Sequence, residues 1–122
     1  MTDPSSAAEA LRAFGLQYPE TQLKSPWPGH LDLAVRDKTF AYLSPEGQPF
    51  SLGCKLPFSA EAALALPFTE PTGYGLGKSG WVTARWPDDG SDPMPMFRAW
   101  IDESWRAQAP KRLAKSFPPP SF

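Results

Sequence analysis

The sequence has almost no thiol or imidazole chemistry. A single cysteine, Cys54, excludes an internal disulfide and any cysteine-rich zinc site, and a single histidine, His30, excludes a multi-histidine metal centre. Net charge is nearly absent as well, at −1 with a pI near 5.8. The chain therefore lacks the overall basic excess that usually accompanies nucleic-acid binding, and a basic footprint has to come from uneven placement of its charges. No stretch approaches the roughly 18 apolar residues of a membrane span. The start, MTDPSSAAEALRAF, has no basic segment leading into an apolar run. The expectation is a cytoplasmic protein with no membrane partner.

What is abundant is proline and aromatic surface. Sixteen prolines punctuate the chain into short elements and argue against long helices. Five Trp and eight Phe, in a chain that is 41% hydrophobic, predict a packed core. At 122 residues the chain reads as one domain, able to bury roughly two-thirds of its unfolded surface without staples.

Ser5 and Ser6 stand before Ala7, Ala10, Leu11 and Phe14 at helical spacing, with Glu9 in capping-box position to Ser6, and predict a short helix over about 5–15 ended by Gly15. The proline-rich YPETQLKSPWPGH reads as a loop. Leu31, Leu33 and Val35 then alternate with polar or small residues as a strand. Asp37-Lys38 is the expected tight connection to a second strand, TFAYLS, and Pro45-Glu46-Gly47 is a turn into a third, where Phe50, Leu52 and Cys54 alternate with Ser51, Gly53 and Lys55. Short connections make these antiparallel neighbours. Ser59 is the expected cap of a short helix closed by Pro67, TEPTGYGLGKSG a glycine-rich loop, and WVTARWP a fourth strand. Phe97, Trp100, Ile101, Ser104 and Trp105 mark one face of a last helix ended by Pro110. The order indicates an α+β two-layer sandwich, an antiparallel sheet with helices on one face.

The loop TGYGLGKSGWV carries the one chemical-looking motif, with Gly75, Gly77 and Gly80 in G-x-G-x-x-G order. A dinucleotide fingerprint needs a strand feeding the loop and a helix leaving it. Here a proline-broken segment precedes and a β-type segment follows. The P-loop pattern also fails, because the glycine it needs is replaced by Thr72. Cys54 reads as a packing cysteine and His30 as a turn residue. Asp88, Asp89 and Asp92 read as a solvated turn beside Gly90. Ser104 falls within an apolar stripe, where its hydroxyl must find a partner. The carbonyl of Trp100 is the simplest one, and a ligand-facing role is the alternative.

Several separated blocks nevertheless resemble one family. Pro19-Glu20, KTFAYL, FSLGCK with its final Lys55, PTGYGLGKSGWVTARW and WIDESWRAQAPKRL together resemble the MmcQ/YjbR-like family, over about residues 5–115. The resemblance implies a CyaY-like α+β fold; the chain is read as a single domain of this kind over 1–115, and the proline run Pro118-Pro119-Pro120 marks a Pro-rich tail over 116–122. The resemblance also implies DNA as the partner, with no enzymatic activity, cofactor or metal. This chain reads Lys78-Ser79-Gly80-Trp81 where many relatives place a histidine before the tryptophan, and has Trp105 where tyrosine often follows the serine. Frataxin-type iron binding does not carry over, because the first helix lacks the carboxylate cluster. The residues implied for nucleic-acid or partner binding are Lys38, Lys55, Tyr74, Lys78, Trp81, Arg85 and Ser104, with Trp81 or Trp86 as a stacking platform. The competing reading is a protein-interaction module without nucleic-acid binding, using the sheet face or the FPPPSF tail.

Overall fold

A computed structural model describes residues 4–25, 31–45, 47–73 and 76–118. Helix α1 (Pro4–Gly15) leads into strand β1 (Thr21–Lys24), followed by β2 (Asp32–Val35), β3 (Lys38–Leu43) and β4 (Leu52–Lys55). Helix α2 (Ala60–Leu64), β5 (Thr69–Pro71), a 3-10 turn (Leu76–Ser79) and β6 (Trp81–Ala84) come next, and α3 (Met94–Gln108) and α4 (Lys111–Ser116) close the chain. The six strands form one antiparallel sheet in the order β1-β2-β3-β4-β6-β5.

Four elements differ from the sequence expectation. The segment read as a proline-rich loop contains the edge strand β1, which pairs with β2 from Thr21↔Val35 to Lys24↔Asp32. The glycine-rich stretch begins with β5, whose Pro71 is tolerated because β5 lies at the other edge. Helix α1 starts at Pro4, so Ser5 and Ser6 lie inside its first turn rather than capping it. Pro110 ends α3 as expected, but it also precedes α4, a second helix that the sequence reading does not place. His30, Glu46 and Tyr74 fall outside the described residues.

The β2–β3 hairpin turns on Arg36 and Asp37, both left-handed, at φ 45° and 68°. That backbone suits the twist of a two-residue hairpin, which asparagine or glycine normally supplies. Neighbours hold it here: Glu20, itself at φ 54°, receives a two-pronged contact from Arg36 at 2.7 and 2.9 Å. Gln22 and Lys24 of β1 donate to the Asp37 carboxylate and carbonyl. Farther along, Leu33 pairs with Ala41 but Ala34 with Thr39, so Phe40 is the extra residue of a β-bulge. The bulge allows Phe40 and Ala41 both to be fully buried.

Register divides the sheet into two faces. Leu33, Val35, Ala41, Leu43, Leu52, Cys54, Val82 and Ala84 share the face packed against α1 and α3, and all belong to one core cluster. Helix α3 meets it with the stripe seen in the sequence: Phe97, Trp100, Ile101, Ser104 and Trp105 are buried. Phe50 stacks on Phe97 at 5.4 Å, and Trp86 packs edge-on to Phe50 at 5.3 Å. Burial of each such side chain contributes on the order of 1.5–3 kcal/mol. Among the described residues, no helix is long and apolar enough to cross a membrane.

Candidate functional site

The face opposite the helices carries Tyr42, Gly53, Lys55, Thr83 and Trp81 by register. Lys55 and Trp81 are direct cross-strand partners, and the Tyr42 ring lies 5.3 Å from that of Trp81. Gly53 lies between Tyr42 and Thr83 on this face, where a Cβ would make only ordinary contacts with both. Thr83 in turn shares a 2.8 Å hydrogen bond with the Thr72 hydroxyl. Tyr42 was missed in the sequence because its face depends on the bulge at Phe40, which alternation alone does not reveal.

The glycine loop is a folded connection. Gly77 sits against β5, where a Cβ would come within 2.8 Å of Pro71, and Gly80 is left-handed at φ 87°. The Gly80 carbonyl accepts from the amide of Leu56 at 2.8 Å. These glycines allow the 3-10 turn to fold onto Pro71-Thr72 and deliver Trp81 beside Lys55. A short strand does precede the motif, contrary to the sequence expectation, but β6 rather than a helix follows it. The helix N-terminus a pyrophosphate would need is therefore missing at this place.

The anticipated site residues do not all converge. Lys38 starts β3, Lys55 ends β4 and Lys78 lies in the turn before β6, so antiparallel pairing puts all three at one end of the sheet. Lys38 and Lys78 are exposed and Lys55 half-buried, and no carboxylate pairs with them among the described residues. Lys38 is the register partner of Val35, a core residue, so it belongs to the rim of the helix-covered face. Arg85 stands past the far end of β6, roughly 13 Å from Trp81 at the usual strand rise, and donates to the Pro67 carbonyl.

Two anticipated residues are occupied by the fold itself. Trp81 is only 5% exposed, so its ring is not a free stacking platform, and Trp86 lies in the core-side aromatic cluster. Ser104 is fully buried and does not bond to Trp100. Its hydroxyl donates to the Phe40 carbonyl at 2.5 Å and accepts from the Lys55 amide at 2.8 Å. It thereby bridges β3 and β4 at the bulged residue Phe40, just beyond their regular pairing at Ala41↔Cys54.

Its neighbours on α3 are equally committed. Glu103 accepts from the amides of Phe58 and Ser59 and from the Ser59 hydroxyl. The Ser59 side chain expected to cap α2 is thus turned to Glu103 instead. Asp102 accepts from the Tyr18 hydroxyl at 2.8 Å and pairs with Arg106 at 3.0 Å. Burial, then the bond to Asp102, pushes the Tyr18 hydroxyl far up from its ordinary pKa. Burial does the same to the Cys54 thiol, leaving it inert. A groove of about 400 Å³ runs between these α3 side chains and Pro57-Phe58, with Phe58 91% exposed at its rim. Among the described residues, no three His, Cys, Asp or Glu side chains gather to hold a metal.

The bulged six-stranded antiparallel sheet, backed on one face by α1 and α3, defines a two-layer α+β protein. A family model described as YjbR matches residues 16–107, and the chain belongs to the YjbR family. No curated protein matches significantly. Among solved structures, the chain is similar to the crystal structure of a Deinococcus radiodurans protein, DR2400, of domain type DUF419. The TM-score is 0.69 at 23% identity, over 88% of this chain and 81% of that one. That likeness concerns the fold.

Proposed function

We propose that this protein is a non-enzymatic DNA-binding protein that meets the phosphate backbone with one end of its sheet. The observation that supports it is the placement of Lys38, Lys55 and Lys78 at the same end of three adjacent strands, without carboxylate partners among the described residues. Three strands span roughly 10 Å, which suits successive backbone contacts. Unpaired lysines are the side chains that release counterions when they meet phosphate. The half-buried Tyr42, resting on Trp81, is the aromatic group on the face shared with Lys55, and it takes the contact role that the buried Trp81 ring does not.

Fluorescence anisotropy with a labelled duplex and a labelled single strand, titrated from low to moderate salt, tests this reading. The expected result is an affinity that falls steeply with salt, and a Lys38/Lys55/Lys78 triple alanine variant whose salt slope is shallower by about 2–3 on logarithmic axes. No binding of either probe at the lowest salt overturns the proposal. The second reading, a protein-interaction module, is favoured by one feature: Phe58, 91% exposed beside a groove. It gains if DNA binding is absent.

A further inference from the structure

The charges are unevenly distributed along the chain. Of 12 basic and 13 acidic residues, residues 104–122 hold four basic ones and no acid, so this stretch carries +4 and the preceding 103 residues −5. Three of the four cations, Lys111, Arg112 and Lys115, lie on α4. Both faces of that helix are used. Leu113, Ala114 and Phe117 pack towards the core, while Lys111, Arg112 and Lys115 share the exposed face at the same i, i+1, i+4 spacing.

A six-residue helix is too short to persist alone in water, and this one is fastened. Arg106 of α3 donates to the carbonyls of Ala114, Phe117 and Pro118 at 3.0–3.1 Å while pairing with Asp102. The Phe117 ring seats against Tyr18 at 5.0 Å and Trp105 at 5.6 Å, with the Arg106 guanidinium 5.9 Å from its centre. A solvating tail needs no such seat, whereas a contact surface needs its cations held in place. The location fits as well. Gln108, at the end of α3, donates to the Thr39 carbonyl at 3.1 Å, so α4 begins beside the start of β3, the position of Lys38.

We propose that α4 is a phosphate-contacting element of the nucleic-acid surface, presenting Lys111, Arg112 and Lys115 as a rigid ridge continuous with Lys38. The proposal rests on the DNA-binding reading and extends it to a part of the chain outside the matched family region, which ends at residue 107.

The test is anisotropy with a labelled duplex across salt for four full-length proteins: wild type, Lys38/Lys55/Lys78→Ala, Lys111/Arg112/Lys115→Ala, and Phe117→Ala. The α4 triple variant is expected to bind about tenfold or more weakly at low salt, with a salt slope shallower by about 2–3, and to melt like wild type because its side chains are exposed. Phe117→Ala keeps every cation but frees the helix. It is expected to weaken binding severalfold, and circular dichroism would confirm an otherwise folded sheet. Wild-type affinity and slope in the α4 triple variant would overturn the inference while leaving the DNA-binding reading standing. Loss in the α4 variant alone would keep the inference and remove the strand-end lysines from the surface. An absence of binding by the wild type overturns both.

Discussion

The two ends of the sheet handle charge in opposite ways. At the end where β2 begins and β3 finishes, Arg12 reaches from α1 to the carbonyls of Leu31 and Ser44, each at 2.7 Å. Asp32 is fully buried there and accepts from the Leu43 amide at 3.0 Å. Burial lowers the pKa of Arg12, and attraction to Asp32 opposes that shift. At the other end Lys38, Lys55 and Lys78 engage no carboxylate among the described residues. Charge that is buried and bonded holds elements together, while charge that is exposed and unspent remains available to a ligand. Polarity at an unexpected position is therefore ambiguous until its partners are known, and Ser104 illustrates this.

The largest effect that tests the contrast is at the stitched end. Asp32→Ala removes the acceptor of the Leu43 amide and the carboxylate that offsets the desolvation of Arg12. A buried donor left without its acceptor typically costs about 1–3 kcal/mol, and more where the lost group is charged, and urea denaturation measures it. A loss below about 1 kcal/mol would mean that the two ends do not differ as described. Ser104→Ala comes next, leaving the Phe40 carbonyl and the Lys55 amide without their partner. The expected cost is about 2–4 kcal/mol, with hydrogen exchange at Lys55 faster than in wild type. In contrast, Lys55→Ala and Lys78→Ala are expected to change stability by less than about 0.5 kcal/mol.

Much of the architecture was legible because it follows from spacing. The stripe Phe97, Trp100, Ile101, Ser104, Trp105 fixed the buried face of α3, and alternation in Phe50, Leu52 and Cys54 fixed the core side of β4. What escaped were elements whose stability comes from elsewhere in the molecule. β1 and β5 are four and three residues long, sit beside prolines and exist because a neighbouring strand pairs with them. α4 depends on Arg106 and Phe117, and no local propensity announces that clamp. The candidate surface was legible as residue types, but the bulge at Phe40 and the burial of Trp81 reassigned their roles. Lysine and tryptophan look equally suited to binding in a sequence, and only packing separates the covered ring from the exposed ammonium.

The smallest expected effect concerns the contact between Glu20 and Arg36, which is exposed on both sides and joins two left-handed residues. The hydrogen bond from Arg36 holds the Glu20 carboxyl below its ordinary pKa of 4.5. A carboxylate whose folded pKa is depressed contributes stability above its unfolded pKa and loses it as the pH falls through the folded value. Any advantage of wild type over Glu20→Gln should therefore be present at neutral pH, shrink below about pH 4.5 and fade with added salt, as exposed ion pairs do. Glu20→Gly separates the pair from the backbone, since it removes the carboxylate but suits the left-handed conformation. If the hairpin is held chiefly by the ion pair, both variants melt together and below wild type at pH 7. If the backbone conformation matters more, the glycine variant melts above the glutamine variant at every pH. The latter is the expected order, because solvent and salt weaken the exposed contact but leave the backbone preference unchanged.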